Sequence, residues 1–525
     1  MKKILSKKLF RVAAVSLFVF LVSIFLACLY FSYEVAPGKE NYQNPINDEA
    51  DNNFLIAISP HHLVAKTLIE NLFSQIKDSD VETVIIISPN HFNQGKGNIQ
   101  SSLYPKSKLN ADQYWIKSMQ RERLLSIEDE SFSNEHGINN LLPYIEESFP
   151  DATIIPIIIS ETVSDDQSAN LTSALNFFRD KKARIILSAD FSHYLTNPGA
   201  QFHNIHALKT LQNVDSVAAS KADIDCPKGL EVIMKIAKLN NFNFQLLDSS
   251  NAAILGGNEF VIEPTSYVTG FFSEEKSSVQ SDSLNFSFFG DIRQDEFLKY
   301  GNEKNNLDHM LADVERLFLG TDFAVANFKS SIGNGNILES FKKRGFDASS
   351  SESFVTGKQN NITYALFNYN QIEKDAEEKI ISNILNNKDK AEINIVYAAW
   401  AENSANTVED KGGKMLLAHK FIDAGADVVI GNSPDKIDPI EKYGGKYIFY
   451  SIGSFFGEES LGVGMNYDDL SERISYYLIP VKFDTNHKQK VIQGDELKSI
   501  LNSIADSAVA DDSIRSRIKS GIIFD

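Results

Sequence analysis

The most restrictive feature of this 525-residue chain is a rhythm of short isoleucine-rich runs separated by helix-length stretches. Residues 54–59 (FLIAIS), 83–88 (TVIIIS), 153–160 (TIIPIIIS) and 184–188 (RIILS) lack the polar alternation of a strand with one wet face. Such runs read as strands buried on both faces of a sheet. Between them, residues 63–76 place Leu68, Leu72 and Ile76 at four-residue spacing, and residues 229–239 form a second helical stretch. Strand and helix in alternation predict an α/β sheet with right-handed crossovers.

The length calls for more than one such unit, since domains run to roughly 100–200 residues. A polar stretch at 34–52, with Pro37-Gly38 and Asn44-Pro45, and ten polar residues at 274–283 read as linkers. They delimit expected domains at 53–273 and 284–525. Apolar residues at 43% and charged residues at 23% exclude a disordered chain. A net charge of −19 leaves no electrostatic footprint for nucleic acid.

At the amino end, Lys2, Lys3, Lys7, Lys8 and Arg11 form a basic tail (1–11) ahead of residues 12–33, which carry no charge. That span is long enough to cross a bilayer, with the basic flank in the cytoplasm and the bulk outside. A cleaved signal peptide would want an A-x-A-like site, and a lipoprotein signal would want a better match before Cys28 than Phe25-Leu26-Ala27. The expectation is a single-pass anchor in the cell membrane. Cys28 then lies in the membrane and Cys226 is a lone thiol outside it, as either a small buried hydrophobe or a metal ligand.

The first strand runs into Ser59-Pro60-His61-His62, the second into Ser88-Pro89-Asn90-His91, and a later one into Ser188-Ala189-Asp190-Phe191-Ser192-His193-Tyr194. Ligands of open α/β sheets bind beyond the carboxyl ends of the strands, so these clusters predict one shared crevice. Imidazoles with a thiolate suit iron, copper or zinc and not magnesium or calcium. Asp190 or Glu135 would orient a ligating imidazole, and His193 would move a proton, with His136 beside Glu135.

These residues also carry a resemblance. Pro60-His61-His62, SPNH at 88–91, EHGINNLLPYI at 135–145, SADFSHY at 188–194, Cys226-Pro227 and SYVTGF at 266–271 stand in the order of the Memo family, which includes AmmeMemoRadiSam system protein B. The resemblance covers about 54–273 and implies the extradiol-dioxygenase fold. It implies a metal at His61, His91 and Cys226, iron or copper ahead of zinc, with Asp190 and His193 beside it. The family's His-Ala-Gly-Tyr is His61-His62-Leu63-Val64 here, which alters the substrate side.

The second domain alternates too, through 284–289, 322–326 and 393–398, a helix at 415–424, and a Gly444-Gly445 hairpin turn. Residues 284–482, most strongly 424–456, resemble the CapA family of poly-γ-glutamate capsule synthesis, with its metallophosphatase-like fold. Gly290-Asp291 is kept. The family's Asn-Leu-Glu is Asn327-Phe328-Lys329, its His-Trp-Gly is Ala399-Trp400-Ala401 ahead of Glu402, and its Gly-His-His-Pro-His is Gly431-Asn432-Ser433-Pro434-Asp435. Asp291, Asn327, Glu402 and Asp435 therefore make a degenerate second site, with no cofactor expected there. The leading expectation is an envelope-anchored, metal-dependent enzyme acting through the Memo-like domain. The alternatives are a scaffold binding an anionic envelope polymer or capsule machinery, and a working CapA-type enzyme.

Overall fold

The computed structural model describes residues 54–275, 282–293, 307–329, 341, 346–348, 354–400, 413–433 and 436–524. They belong to one compact unit, Asp48–Asp525. The expected tail, anchor and stalk (1–52), most of the 274–283 linker, Glu402 and Asp435 lie outside the described residues. Among the described residues no helix is long and apolar enough to cross a membrane.

The isoleucine-rich runs build the first sheet. Its strands are β1 (Phe54–Ser59), β2 (Thr83–Pro89), β3 (Ile99–Ser101), β4 (Ser126–Ile127), β5 (Thr153–Ile159), β6 (Ala183–Ser188), β7 (Asn243–Asn251) and β8 (Ser266–Ser273), in the order β4-β3-β5-β2-β6-β1-β8-β7. The central four, β5-β2-β6-β1, are parallel. Every residue of β2 and β6 is buried, which is why these strands tolerate no polar alternation. Strands β3 and β8 close the parallel core on either side with antiparallel pairings.

Helices cover the faces. The stretch expected as one helix at 63–76 begins as a 3₁₀ turn, Leu63–Ala65, and continues as α1 (Lys66–Ile76), which buries Leu68, Ile69, Leu72, Phe73 and Ile76. Helix α2 is Asn197–Gln212 and α3 is Pro227–Leu239. The close seat of α3 depends on Gly229, where an added Cβ would stand 2.6 Å from Cys226 Sγ and 2.8 Å from Leu187 Cδ1.

The C-terminal half is a pair of facing sheets. One holds β9 (Ser283–Arg293), β10 (Phe323–Lys329), β11 (Phe346–Ala348), β18 (Ser460–Asp468), β19 (Arg473–Phe483), β20 (Gln489–Val491) and β21 (Ile522–Phe524). The other holds β12 (Phe354–Gln359), β13 (Ile362–Asn370), β14 (Ile393–Ala399), β15 (Val428–Asn432), β16 (Ile440–Tyr443) and β17 (Lys446–Phe449). Phe286, Phe288 and Met465 of the first meet Ile395, Tyr397 and Ile430 of the second in a common core. The hairpin expected at Gly444-Gly445 joins β16 to β17, with both glycines at positive φ (57° and 83°), as a tight two-residue turn requires.

The two halves do not stand apart. Helix α2 packs against β7 and β8 on one side and β18 and β19 on the other. Its Phe202 ring lies 5.5 Å from that of Tyr477, and a Cβ at Gly464 would meet Phe202 at 2.8 Å. Buried residues cover most of the helix, His203, His206 and Lys209 among them, and only a narrow face at Gln201, Asn204, Ile205, Leu208 and Gln212 is half-exposed, so it shows no single apolar stripe.

Candidate metal centre

Strand β6 lies between β2 and β1, so the segments leaving these three strands emerge side by side. That order brings His61, His91 and Asp190 together. A fourth group comes from the extended segment ahead of α3, where Ile224 bridges to Phe191. Side chains alternate along an extended chain. Ile224 and Cys226 accordingly enter the hydrophobic core, while Asp223 and Asp225 face the other way.

Asp225 is the residue the sequence reading missed. The expected ligand was its neighbour Cys226, but Cys226 is 2% exposed among Ile87, Leu187 and Gly229. Its thiol is pushed well above the usual range, by burial first and by the charge of Asp225. The side chains whose ligand atoms lie within 4.8 Å of one another are instead His61, His91 and His136, and His61, Asp190 and Asp225. Two acids flanking Ile224, immediately before the cysteine, were the available signal.

Hydrogen bonds fix which atoms face the centre. Ser188 Oγ donates to the Gly137 carbonyl, so it is the Ser188 lone pair that meets His61 Nδ1, at 3.2 Å, and Nδ1 carries the proton. His61 Nε2 is thereby left as a lone pair 3.4 Å from Asp190 Oδ2 and 3.4 Å from Asp225 Oδ2. His91 Nδ1 donates to Glu135 Oε1 at 2.6 Å, leaving its Nε2 3.6 Å from Asp225 Oδ2. Glu135, fully buried, also accepts the backbone N–H groups of His91 (3.1 Å) and Gly137 (3.0 Å). Burial would raise its carboxyl, but these bonds and the His91 charge win and hold it below the usual range.

The electrostatics concentrate on Asp225. Its Oδ1 accepts the Asp190 N–H at 3.2 Å, whereas its buried Oδ2 has no hydrogen-bond partner. Burial and the charge of Asp225 push Asp190 well up, so the pair shares one proton and Asp225 is the ionised member, held down by His91 and its other histidine neighbours against the cost of burial. His61 is lowered to about 4, chiefly by burial. Burial opposes protonation of His91 too, but Asp225 and Glu135 overcome it and raise His91 to about 9. A proton there answers the same demand for positive charge that a cation would meet.

The donor set fits a metal. Ligands at about 2.0–2.1 Å from one ion lie roughly 3–3.5 Å from each other, and His61 Nε2, His91 Nε2 and Asp225 Oδ2 are spaced at 3.4 and 3.6 Å about the carboxylate. His136 stacks on His91 at 4.0 Å between ring centroids and is partly exposed. His193 is half-buried, its Nδ1 is buried without a hydrogen-bond partner, and desolvation lowers its pKa. All of these line a cavity of about 460 Å³, with Asn90, Asn93, Tyr194, Thr265 and Arg316.

The expected second site is a different environment. Asp291 is buried and accepts from Asn327 Nδ2 at 2.7 Å, across a bulged β9–β10 pairing. Trp400 is a core residue whose indole donates to the Tyr450 carbonyl at 2.7 Å. Among the described residues both candidate ligand groups lie in the N-terminal half.

Two family models match the chain. One, described as Memo-like protein, covers residues 39–267; the other, bacterial capsule synthesis protein PGA_cap, covers residues 340–459. Residues 39–267 are thus similar to Memo-like proteins and residues 340–459 to bacterial capsule synthesis proteins. The PGA biosynthesis protein CapA of Bacillus subtilis (strain 168) is 22% identical over 242 residues, 33% of this chain and 63% of that protein. A probable polyglutamine synthesis accessory protein of Mycobacterium tuberculosis is 32% identical over 106 residues, 20% of this chain and 27% of that protein. A MEMO1 family protein of Nitrosopumilus maritimus is 24% identical over 180 residues, 32% of this chain and 65% of that protein. The chain thus spans less than two thirds of the length of each of these relatives. Solved structures align weakly: uncharacterized protein JW3007 of Escherichia coli K12 shares 8% identity at a TM-score of 0.28, over 42% of this chain and 99% of that one. The histidine-rich group able to bind a metal lies within the Memo-like region.

Proposed function

We propose that this chain is an envelope protein whose Memo-like domain holds a transition metal at His61, His91 and Asp225 and uses it in a metal-dependent reaction. One observation carries the reading: a buried carboxylate oxygen, Asp225 Oδ2, has no hydrogen-bond partner yet faces two imidazole nitrogens. A buried acceptor left so is costly, and a cation satisfies it. Two imidazoles and one carboxylate with open positions beside them favour iron(II) over a closed zinc site. Such an ion would act as a Lewis acid toward a ligand and lower the pKa of a bound water. The chain's own residues do the rest. Glu135 and Ser188 fix the ring orientations of His91 and His61, and His193 lines the cavity as the candidate proton acceptor. Full-length protein loaded anaerobically with iron(II) should retain one equivalent after desalting, measured by mass spectrometry of the metal. Wild type and a His61→Ala/His91→Ala double variant carrying equal metal would end this reading.

For the PGA_cap domain we propose association with an anionic polymer or capsule machinery and not turnover, a reading supported by the capsule-synthesis match at 340–459 and by Asn432, Ser433 and Asp435 standing where the family has histidines. The proposed location rests on the uncharged span at 12–33 behind its basic tail. Alkaline phosphatase fused after residue 50 should be active; an inactive fusion alongside an active cytoplasmic reporter would reverse the topology.

A further inference from the structure

The cavity over the metal centre is not closed by the Memo-like domain alone. Arg316 reaches it from the C-terminal half. It sits in a 3₁₀ turn, Glu315–Phe318, whose Leu317 and Phe318 are buried in a core with Phe289 and Phe455, so its backbone is fixed from that side. Its guanidinium crosses to Asp223, two residues before Asp225, and its Cζ lies 5.4 Å from the centroid of the Tyr194 ring. Tyr194 is held at a φ of +64°, and its carbonyl accepts from Gln493 Nε2 at 3.2 Å, a second tie from the C-terminal half. Both Tyr194 and Arg316 also line a neighbouring cavity of about 470 Å³.

Among the described residues lining the metal-site cavity, Arg316 is the sole lysine or arginine, against the carboxylates of Glu161 and Asp225. A guanidinium keeps its charge at every relevant pH and presents a planar fork that matches an oxyanion. One of its nitrogens serves Asp223, leaving further donors on the same group. The acid neighbours disfavour a doubly charged ligand more than a singly charged one. At about 460 Å³ the cavity is in the range of small-molecule sites, roughly 300–1,000 Å³.

We propose that Arg316 binds the carboxylate of a small monoanionic substrate whose reacting end lies at the His61–His91–Asp225 centre, so that the C-terminal half sets the substrate class of the N-terminal site. This rests on the metal reading for the reacting end, but the carboxylate subsite is testable without it. Propionate and inorganic phosphate would be titrated calorimetrically into the full chain, once metal-loaded and once stripped with chelator. Wild type should bind propionate in both states, and Arg316→Gln should weaken it at least about tenfold, the usual cost of losing a hydrogen bond to a charged group. Arg316→Lys should restore part of the affinity. Asp223→Asn should strengthen binding, because the guanidinium loses its internal carboxylate; a purely structural Arg316–Asp223 staple would give weaker binding in both variants. Thermal unfolding of each variant separates a lost subsite from a lost fold. The proposal is overturned by equal propionate affinity in wild type and Arg316→Gln, by no propionate binding in wild type, or by Arg316-dependent binding of phosphate alone. A wild type that holds no metal yet shows the Arg316 dependence would overturn the metal reading and leave this one standing.

Discussion

Asp225 and Cys226 are adjacent in the chain and face opposite ways, and the difference decides the chemistry of the centre. A thiolate with two imidazoles suits iron, copper or zinc alike; a carboxylate with two imidazoles favours iron(II). The discriminating experiment is a pair of near-isosteric changes. Asp225→Asn should abolish metal retention, because the amide offers a weaker, uncharged donor. Cys226→Ser should keep the metal and instead cost roughly 0.5–3 kcal/mol in urea unfolding, as a polar group enters the core. The reverse outcome would place the thiol on the ion and require the start of α3 to turn. Glu135 acts through His91: its carboxylate takes the Nδ1 proton and two backbone N–H groups. Glu135→Gln should weaken metal affinity about 10–100-fold in a chelator competition, the usual effect of removing such an orienting partner. Unchanged affinity would show that packing alone orients the ring.

At the scale of elements, the ends of β1, β2 and β6 were legible because apolar runs stop abruptly at Ser-Pro-His, Ser-Pro-Asn-His and Ser-Ala-Asp. Helix α2 was not, because its buried positions mix polar with apolar residues and its half-exposed face carries Ile205 and Leu208, so no apolar periodicity marks it. Its polar residues are the cost of that position, and they make a pH prediction. His206 is 3% exposed and lowered to about 4, by burial first, opposed by Asp322 and assisted by Lys209 and His203. Its folded pKa lies below the ordinary histidine value of about 6.5, so the unfolded chain binds the proton more readily. Stability should therefore be fully present above about pH 6.5 and fall as the pH drops toward 4, by up to about 1.4 kcal/mol per pH unit in that window. His206→Gln should flatten this slope in urea unfolding measured at pH 7.5, 6 and 5. A variant with the wild-type slope would assign the acid sensitivity to another group.

For the whole molecule, two α/β halves pack closely on each other, and α2 serves both. Further ties run from Lys209 to the Ser283 carbonyl, from Arg316 to Asp223, and from Gln493 Oε1 to the Glu263 N–H at 2.6 Å. A fragment ending at 275 would expose Phe202, His203 and His206 of α2, and a fragment starting at 282 would uncover Tyr477 and Gly464. Each alone should aggregate or bind a hydrophobic dye, whereas co-expression should recover a soluble 1:1 complex in gel filtration. A monomeric, cooperatively unfolding 54–275 fragment would show that the interface adds little.

The sequence by itself determined the parallel strands, the polar clusters beyond them and the two family resemblances. These are local: burial on both faces selects isoleucine-rich runs, and a strand's end fixes where its next residues emerge. It also carried His61, His91 and Glu135, each next to a strand end or within a short motif. Only the tertiary structure decided that Asp225 and not Cys226 faces the histidines, since that depends on the phase of one extended segment against Phe191. It alone placed Arg316, 91 residues beyond Asp225 in the chain, beside the same cavity. No pattern in either half encodes that contact, because it arises from two independently patterned surfaces closing on one helix.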